Sequence, residues 1–148
     1  MSYDLVIVAT PDEWDAYHHI RRTELFEARG RSNYDANHPD EFAIGHFPLL
    51  LKWQSRGIGT TRFDLLVDGI AAIRLVAVLR AEQGKGHGRV LAHRTEDFAR
   101  SCNVTKLVVN AAPLAVGFYE RMGFVREAWN PAELTGISED YVQMTKAL

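Results

Sequence analysis

The sequence predicts an α/β fold, a sandwich with helices on both faces of a mixed sheet. Three observations carry this. Residues 70–79 form an almost unbroken apolar run without polar alternation, the pattern of a strand buried on both sides. The turn Gln83-Gly84-Lys85-Gly86-His87-Gly88 follows it and opens directly into a helical pattern. From Gly88 onward helix and strand patterns alternate, giving the order β-α-α-β-β-β-α-β-α-β-β, which packs best as layers.

Residues 4–9 read as a first strand. Thr10-Pro11-Asp12-Glu13 reads as a helix start, with Thr10 as N-cap, Pro11 at the first helical position and Glu13 completing a capping box. Trp14, Tyr17 and Ile20 share one side of that helix, and Leu25-Phe26 belong to a continuation or a second short helix. Residues 29–41 are polar and turn-rich, hence a loop. Three strands follow at 49–54, 57–67 and 70–79, with Arg56-Gly57 and Asp68-Gly69 as turn residues of antiparallel connections. Leu91, Phe98 and Cys102 line a helix over 88–102. A short strand at 106–110 leads to a helix at 112–122, with Pro113 near its start and Gly123 as C-terminal cap. Strands at 124–127 and 141–145 complete the sheet, separated by a loop around Pro131 and Gly136.

Composition bounds the rest. A chain of 148 residues with 47% hydrophobic and 24% charged residues suits one domain with a real core. The net charge of -2 gives no broad electrostatic case for nucleic acid or a membrane as partner. No run reaches the roughly 18 apolar residues of a spanning helix, and the N-terminus lacks the basic and apolar segments of a leader. The single cysteine, Cys102, excludes an internal disulfide framework and reads as a small core residue. A cytoplasmic protein is expected.

The turn at 83–88 carries the first functional expectation. Alternate glycines strip the side chains from a bend whose N–H groups then face outward. The helix that begins there leaves its first N–H groups unpartnered at the positive end of its dipole. Strand, bare turn and helix N-terminus in sequence suit a phosphate-bearing ligand. A Walker-type site is not matched, because the turn lacks the Gly-Lys-Ser/Thr ending.

These residues also carry a resemblance. The segments AAIRLVAVLRAEQGKGHGRVL and LVVNAAPLAVGFYERMGF resemble the core of the GCN5-related N-acetyltransferase superfamily. Gln83, Gly86 and Gly88 meet its Gln/Arg-x-x-Gly-x-Gly/Ala pattern. Asn110, Phe118-Tyr119 and Gly123-Phe124 meet its later signature. The resemblance is specific over 70–124, and the element order extends it to nearly the whole chain. It implies a three-layer α/β/α sandwich with a splayed sheet, binding of acetyl-CoA and transfer of its acyl group to an amine, without a metal. It places the pyrophosphate on the N–H groups of Gly84, Lys85, Gly86, His87 and Gly88, aided by Arg89. It places the pantetheine arm along the backbone of Val78, Leu79 and Arg80, where a backbone N–H would polarise the thioester carbonyl. Asn110 takes the family position that hydrogen-bonds the cofactor or nearby main chain. Pairing of two copies through the C-terminal strands is common in the family, so a homodimer is a further expectation.

Tyr119 is the candidate general acid for the leaving thiolate, because a phenol near ~10 and a thiol near ~8.5 are not far from matched. The alternative is a core tyrosine with its hydroxyl satisfied. An alkylammonium acceptor must also lose a proton, at about 4–5 kcal/mol near pH 7. The strand at 70–79 contains no carboxylate to take it. Asp35, His38, Asp40 and Glu41 are loop candidates, each read first as solvated, and Glu82 reads as a solvated charge beside the turn. His87 reads as a half-exposed bystander and His18-His19 as a helix surface pair. The spacing of His38, Asp40 and Glu41 fits no familiar zinc pattern. Arg74 in a buried strand requires a partner or a route to solvent, and a second reading has it face the acceptor cleft and attract an acidic group. Trp53 and Phe63 read as core. The acceptor is a small-molecule or peptide amine. A non-catalytic acyl-CoA-binding module of the same fold stays open as the second reading.

Overall fold

Local chemistry fixes the first helix as the sequence predicts. In the computed structural model, which describes residues 2–148, helix α1 spans Pro11–Arg21. The Thr10 hydroxyl accepts from the Glu13 N–H, and the Glu13 carboxylate accepts from the Thr10 N–H, closing both halves of the capping box. The chain then tightens through a π-helical turn at Arg22–Phe26 and a 3₁₀ turn at Glu27–Arg29. Helix α2 spans His87–Ser101 and α3 spans Val116–Arg121.

Seven strands form one mixed sheet. They are β1 (Tyr3–Ile7), β2 (His46–Trp53), β3 (Arg56–Leu65), β4 (Ile70–Val78), β5 (Lys106–Ala111), β6 (Val125–Arg126) and β7 (Val142–Ala147), in the spatial order β1-β2-β3-β4-β5-β7-β6. Strands β4 and β5 are parallel and the other neighbours are antiparallel. Alternation along β2 divides the core. Leu50 packs with Tyr17, Ile20 and Leu25 from the α1 region, while Leu49 and Leu51 pack on the other side with residues from α2 and α3. The sheet is thus the middle of three layers, as expected.

Several boundaries differ for identifiable reasons. The β2–β3 turn is Gln54-Ser55, at φ of 52° and 67°, rather than Arg56-Gly57. Gly57 lies within β3, where an added Cβ would come to 3.1 Å from both Ala16 Cβ and Leu50 Cδ1, so close packing of α1 requires glycine. Strand β2 starts at His46 and includes Pro48. This proline sits where β1 pairing ends at Ile7↔Leu49: its carbonyl still accepts from Val8 N–H at 2.9 Å, and only the reciprocal bond to the Val8 carbonyl is forgone. The expected helix at 112–122 splits into a 3₁₀ turn at Pro113–Ala115 and α3. It ends as expected at Gly123 (φ 94°), where Phe124 N–H reaches Tyr119 O and Gly123 N–H reaches Glu120 O, a Schellman closure.

Replacing Thr10 with Ala should lower stability by about 1 kcal/mol, read from the urea midpoint. Lys52, then the Thr10 and Ala9 N–H groups, hold the Glu13 carboxyl at about 2, below its ordinary 4.5. A carboxyl depressed in the folded state stabilises above its ordinary range. That contribution should fade as pH drops from about 4.5 towards 2, and less steeply in a Lys52→Met protein, which loses the partner that lowers Glu13 most.

Candidate active site

The sheet opens at one place. Strands β4 and β5 pair from Ile70↔Lys106 to Ile73↔Val109 and no further. Leu75 sits at φ 55°, a left-handed conformation rare for a leucine, and the β3–β4 register shifts between Thr60 and Arg62. This kink is a β-bulge that turns the rest of β4 away from β5. Leu79 N–H bonds Ile58 O, so it points at β3. By alternation the N–H groups of Val76 and Val78 point into the opening, with no β5 partner.

Past β4, the chain forms a 3₁₀ turn at Arg80–Glu82 and then the glycine turn. Gly84 and Gly86 have φ of 78° and 84°, and an added Cβ at either would meet nothing within 4 Å, so their outer faces are open. Gly86 is the N-cap of α2 and offers no side-chain cap. The first bond into α2 is Val90 N–H to Gly86 O at 3.2 Å, which leaves the preceding N–H groups free. Gly88 faces inward, 3.6 Å from Phe118 for an added Cβ, and Arg89 and Lys85 are exposed.

Other expected contacts are differently used. The Gln83 amide donates to Val78 O at 2.9 Å, Leu79 N–H is taken by Ile58, and Arg80 N–H is taken by the Glu24 carboxylate at 2.9 Å. Open backbone along β4 therefore lies at Val76 and Val78 rather than at Leu79 and Arg80. His87 is not half-exposed but buried, and Glu82 is buried rather than solvated.

A cavity of about 790 Å³ runs from the opening across the α1 face of the sheet. Asn110 and Tyr119 both line it. Asn110 donates to Glu133 Oε1 at 3.0 Å and accepts from Gln143 Nε2 at 3.0 Å. Tyr119 is 7% exposed, with edge-on contacts to Phe118 and Phe124. Burial pushes its phenol well above the ordinary value of 10.0, so the near-match with a thiol that the sequence reading assumes does not hold for the protein by itself. Its hydroxyl makes no hydrogen bond to another described residue, unlike that of Tyr17, which donates to Glu41.

The floor of the cavity is an ion-pair chain that sequence reading only half anticipates. Arg74, expected to need a partner or a route to solvent, finds two carboxylates. It bonds Asp64 at 2.8 Å and Glu133 through a fork at 2.7 and 3.1 Å. Arg62 holds the other side of Asp64 with two bonds of 2.8 Å. Partial burial works to raise the Glu133 carboxyl, but Arg74 and the Asn110 amide outweigh it and hold it below the usual range. Burial likewise works against Arg74, and Glu133 and Asp64 together raise it. Trp129 closes the β5 side of the opening by donating its indole N–H to Val109 O at 3.0 Å. Asp64, Trp129, Glu133 and Gln143 were not singled out from sequence. For Asp64 a signal existed, since Arg62 and Asp64 occupy alternate, same-facing positions of a strand beside Arg74.

The loop candidates separate. Glu41 is buried and bonded to Arg21 and Tyr17, so it is not a solvated acid. His38 accepts from Asp40 N–H at 3.1 Å, and both are exposed. His46 Nδ1 donates to Asp40 O at 2.6 Å, leaving Nε2 at 3.6 Å from Asp64. Asp35 is exposed and accepts from Asn37 N–H. His18 is half-buried, stacked on Trp14 and hydrogen-bonded to Tyr34, and burial pulls its pKa down. Phe63 is core as expected, and Trp53 packs on Tyr3 and His87 away from the cavity. No described helix is long and apolar enough to cross a membrane.

A split mixed sheet with a glycine turn at the head of the following helix is the architecture of an N-acetyltransferase domain. Residues 49–148 match the acetyltransferase (GNAT) domain model, and the chain belongs to that family. The fold is similar to that of a Lactobacillus plantarum protein assigned as an N-acetyltransferase, at TM-score 0.80 and 24% identity, covering 100% of this chain and 99% of that one. An acyl-CoA N-acyltransferase from Pseudomonas aeruginosa gives 0.77 and 21%, covering 99% and 100%. An aminoglycoside 6'-N-acetyltransferase complexed with coenzyme A gives 0.77 and 13%, covering 99% and 97%.

Replacing Arg74 with Met leaves Glu133 the Asn110 amide alone and removes one of the two arginines that hold Asp64. Because the guanidinium is a quarter exposed, the expected loss is about 2 kcal/mol, below the range for a fully buried pair. A double-mutant cycle with Glu133→Gln in urea should return a coupling above about 0.5 kcal/mol.

Proposed function

We propose that the protein is an acetyl-CoA-dependent N-acetyltransferase acting on a primary amine of a small molecule or peptide. The observation that carries this reading is the opening between β4 and β5 ending at the unpartnered N–H groups of the glycine turn. The chain's own residues fit coenzyme A: Gly84 and Gly86 leave open space for a diphosphate, and Val76 and Val78 leave free N–H groups for a pantetheine arm. Lys85 and Arg89, both exposed beside the turn, add charge for phosphate oxygens.

In the proposed reaction the amine nitrogen attacks the thioester carbonyl carbon. The N–C bond forms, the C–S bond breaks, the ammonium proton passes to solvent, and coenzyme A leaves as the thiol. A β4 N–H facing the opening supports the carbonyl oxygen as charge develops on it. Tyr119, whose hydroxyl is uncommitted to other described residues, gives its proton to the sulfur and recovers one from solvent. Asn110 holds the cavity wall through Glu133 and Gln143. Soluble activity in the cytoplasm and pairing of two copies through the C-terminal strands accompany this reading.

Tyr119→Phe should lower kcat by about 100-fold or more while coenzyme A affinity stays within a few-fold. Thiol release from acetyl-CoA with an amine panel, beside calorimetry with coenzyme A, measures both. An unchanged kcat would return the proton to water. Binding without turnover on any amine in the panel would leave a non-catalytic acyl-CoA-binding module. Gly86→Val, at φ 84°, should weaken coenzyme A binding strongly with the fold kept, since a branched side chain there resists the left-handed turn and fills the open face.

A further inference from the structure

Beneath the glycine turn lies a buried polar cluster that the proposed reaction does not use. Glu82 and His87 flank the turn on either side, at 5% and 2% exposure. Their side chains meet under it, with His87 Nε2 at 3.3 Å from Glu82 Oε1. On its far side the His87 ring meets Tyr3 of β1, Nδ1 lying 2.7 Å from the hydroxyl. Trp53 packs against the same ring at 4.8 Å between centroids. Arg56 anchors the other Glu82 oxygen at 3.0 Å.

The Tyr3 hydroxyl and Nδ1 share one hydrogen bond, while the contact between Nε2 and the Glu82 carboxylate lacks hydrogen-bond geometry. The cluster is incompletely satisfied. Of five buried side-chain polar atoms without a hydrogen-bond partner among the described residues, three are Trp53 Nε1, Glu82 Oε1 and His87 Nε2. Such atoms are costly unless a function holds them. The position is also where a bare-glycine turn is weakest. Gly84 and Gly86 make no contact through a side chain, so nothing above the turn fixes its curvature.

We propose that Glu82 and His87 are positioning residues that brace the turn from below, Tyr3 fixing the His87 ring, so that its N–H groups are aimed at a diphosphate before that group arrives. The inference rests on the proposed function and deepens it. Simple electrostatics gives the opposite sign: a carboxylate near a diphosphate repels it, so neutralising Glu82 would tighten binding. The brace requires that the same change weaken it.

The test uses two ligands, coenzyme A and pantetheine, which share the thiol arm and differ in the diphosphate and the phosphoadenosine beyond it. Glu82→Gln keeps the side chain's volume, and Tyr3→Phe removes one hydroxyl on a strand outside the turn. Each should weaken coenzyme A binding by about tenfold in calorimetry, the size of effect seen when an outer support of a preformed site is lost. Pantetheine binding should stay within about twofold. Equal losses for both ligands would mean a general structural defect and overturn the brace, as would unchanged or tighter coenzyme A binding. Should Glu82→Gln fail to fold, Tyr3→Phe decides alone. If the unaltered protein binds no coenzyme A, the proposed function falls and this inference with it. Intact binding with insensitive variants overturns the brace only.

Discussion

Strand β4 cannot pair with both neighbours along its whole length, and the remaining features of the site depend on that. After Ile73↔Val109 the left-handed Leu75 takes β4 with β3 and away from β5. A sheet interior normally leaves no backbone group unpaired, since a buried orphan N–H costs as much as a lost hydrogen bond. Here the open edges are managed side by side. Trp129 takes the Val109 carbonyl, the Gln83 amide takes the Val78 carbonyl, and the N–H groups of Val76 and Val78 face an open cleft. These are the N–H groups that the proposed function assigns to an extended ligand acting as a missing strand.

The ion-pair chain on the cavity floor follows from the same split. Arg74 precedes the kink, and its guanidinium reaches from Asp64 on β3 to Glu133 in the loop before β7, with Asn110 and Gln143 extending the chain. The loop carrying Glu133 is thus tied across the opening by charged hydrogen bonds rather than by apolar packing. This also limits the chemistry. Asp64 and Glu133 are the carboxylates on that floor, and each is neutralised by arginine, with Glu133 held below the usual carboxylate range. A carboxylate held below that range, as Glu133 is, is a poor proton acceptor.

Much of the scaffold was legible because it is written locally. The capping box at Thr10, the left-handed Asp68-Gly69 turn and the Schellman closure at Gly123 each follow from residues within a few positions. The glycine turn was legible for the same reason. What was not legible depends on contacts far apart in sequence. Glu82 reads as a surface charge until Arg56 and His87 surround it, and Glu41 until Arg21 and Tyr17 do. Gly57 reads as a turn residue until α1 packs on it. The kink at Leu75 has no local signal at all, because leucine is unsuited to that conformation and only the surrounding sheet imposes it.

The burial of Tyr119 bears on the proposed proton transfer in a way that isolated values misstate. A phenol raised by desolvation looks too weak an acid for a thiolate whose ordinary range is near ~8.5. Desolvation penalises every anion in the same cleft, however, and a thiolate formed beside Tyr119 would leave water too. What governs the transfer is the difference between phenol and thiol in one environment, not the phenol in the protein against the thiol in water. With both raised, the gap returns towards that between the free groups, about 1.5 units or 2 kcal/mol. The same burial keeps the hydroxyl protonated throughout neutral pH, so the proton is present whenever the sulfur departs.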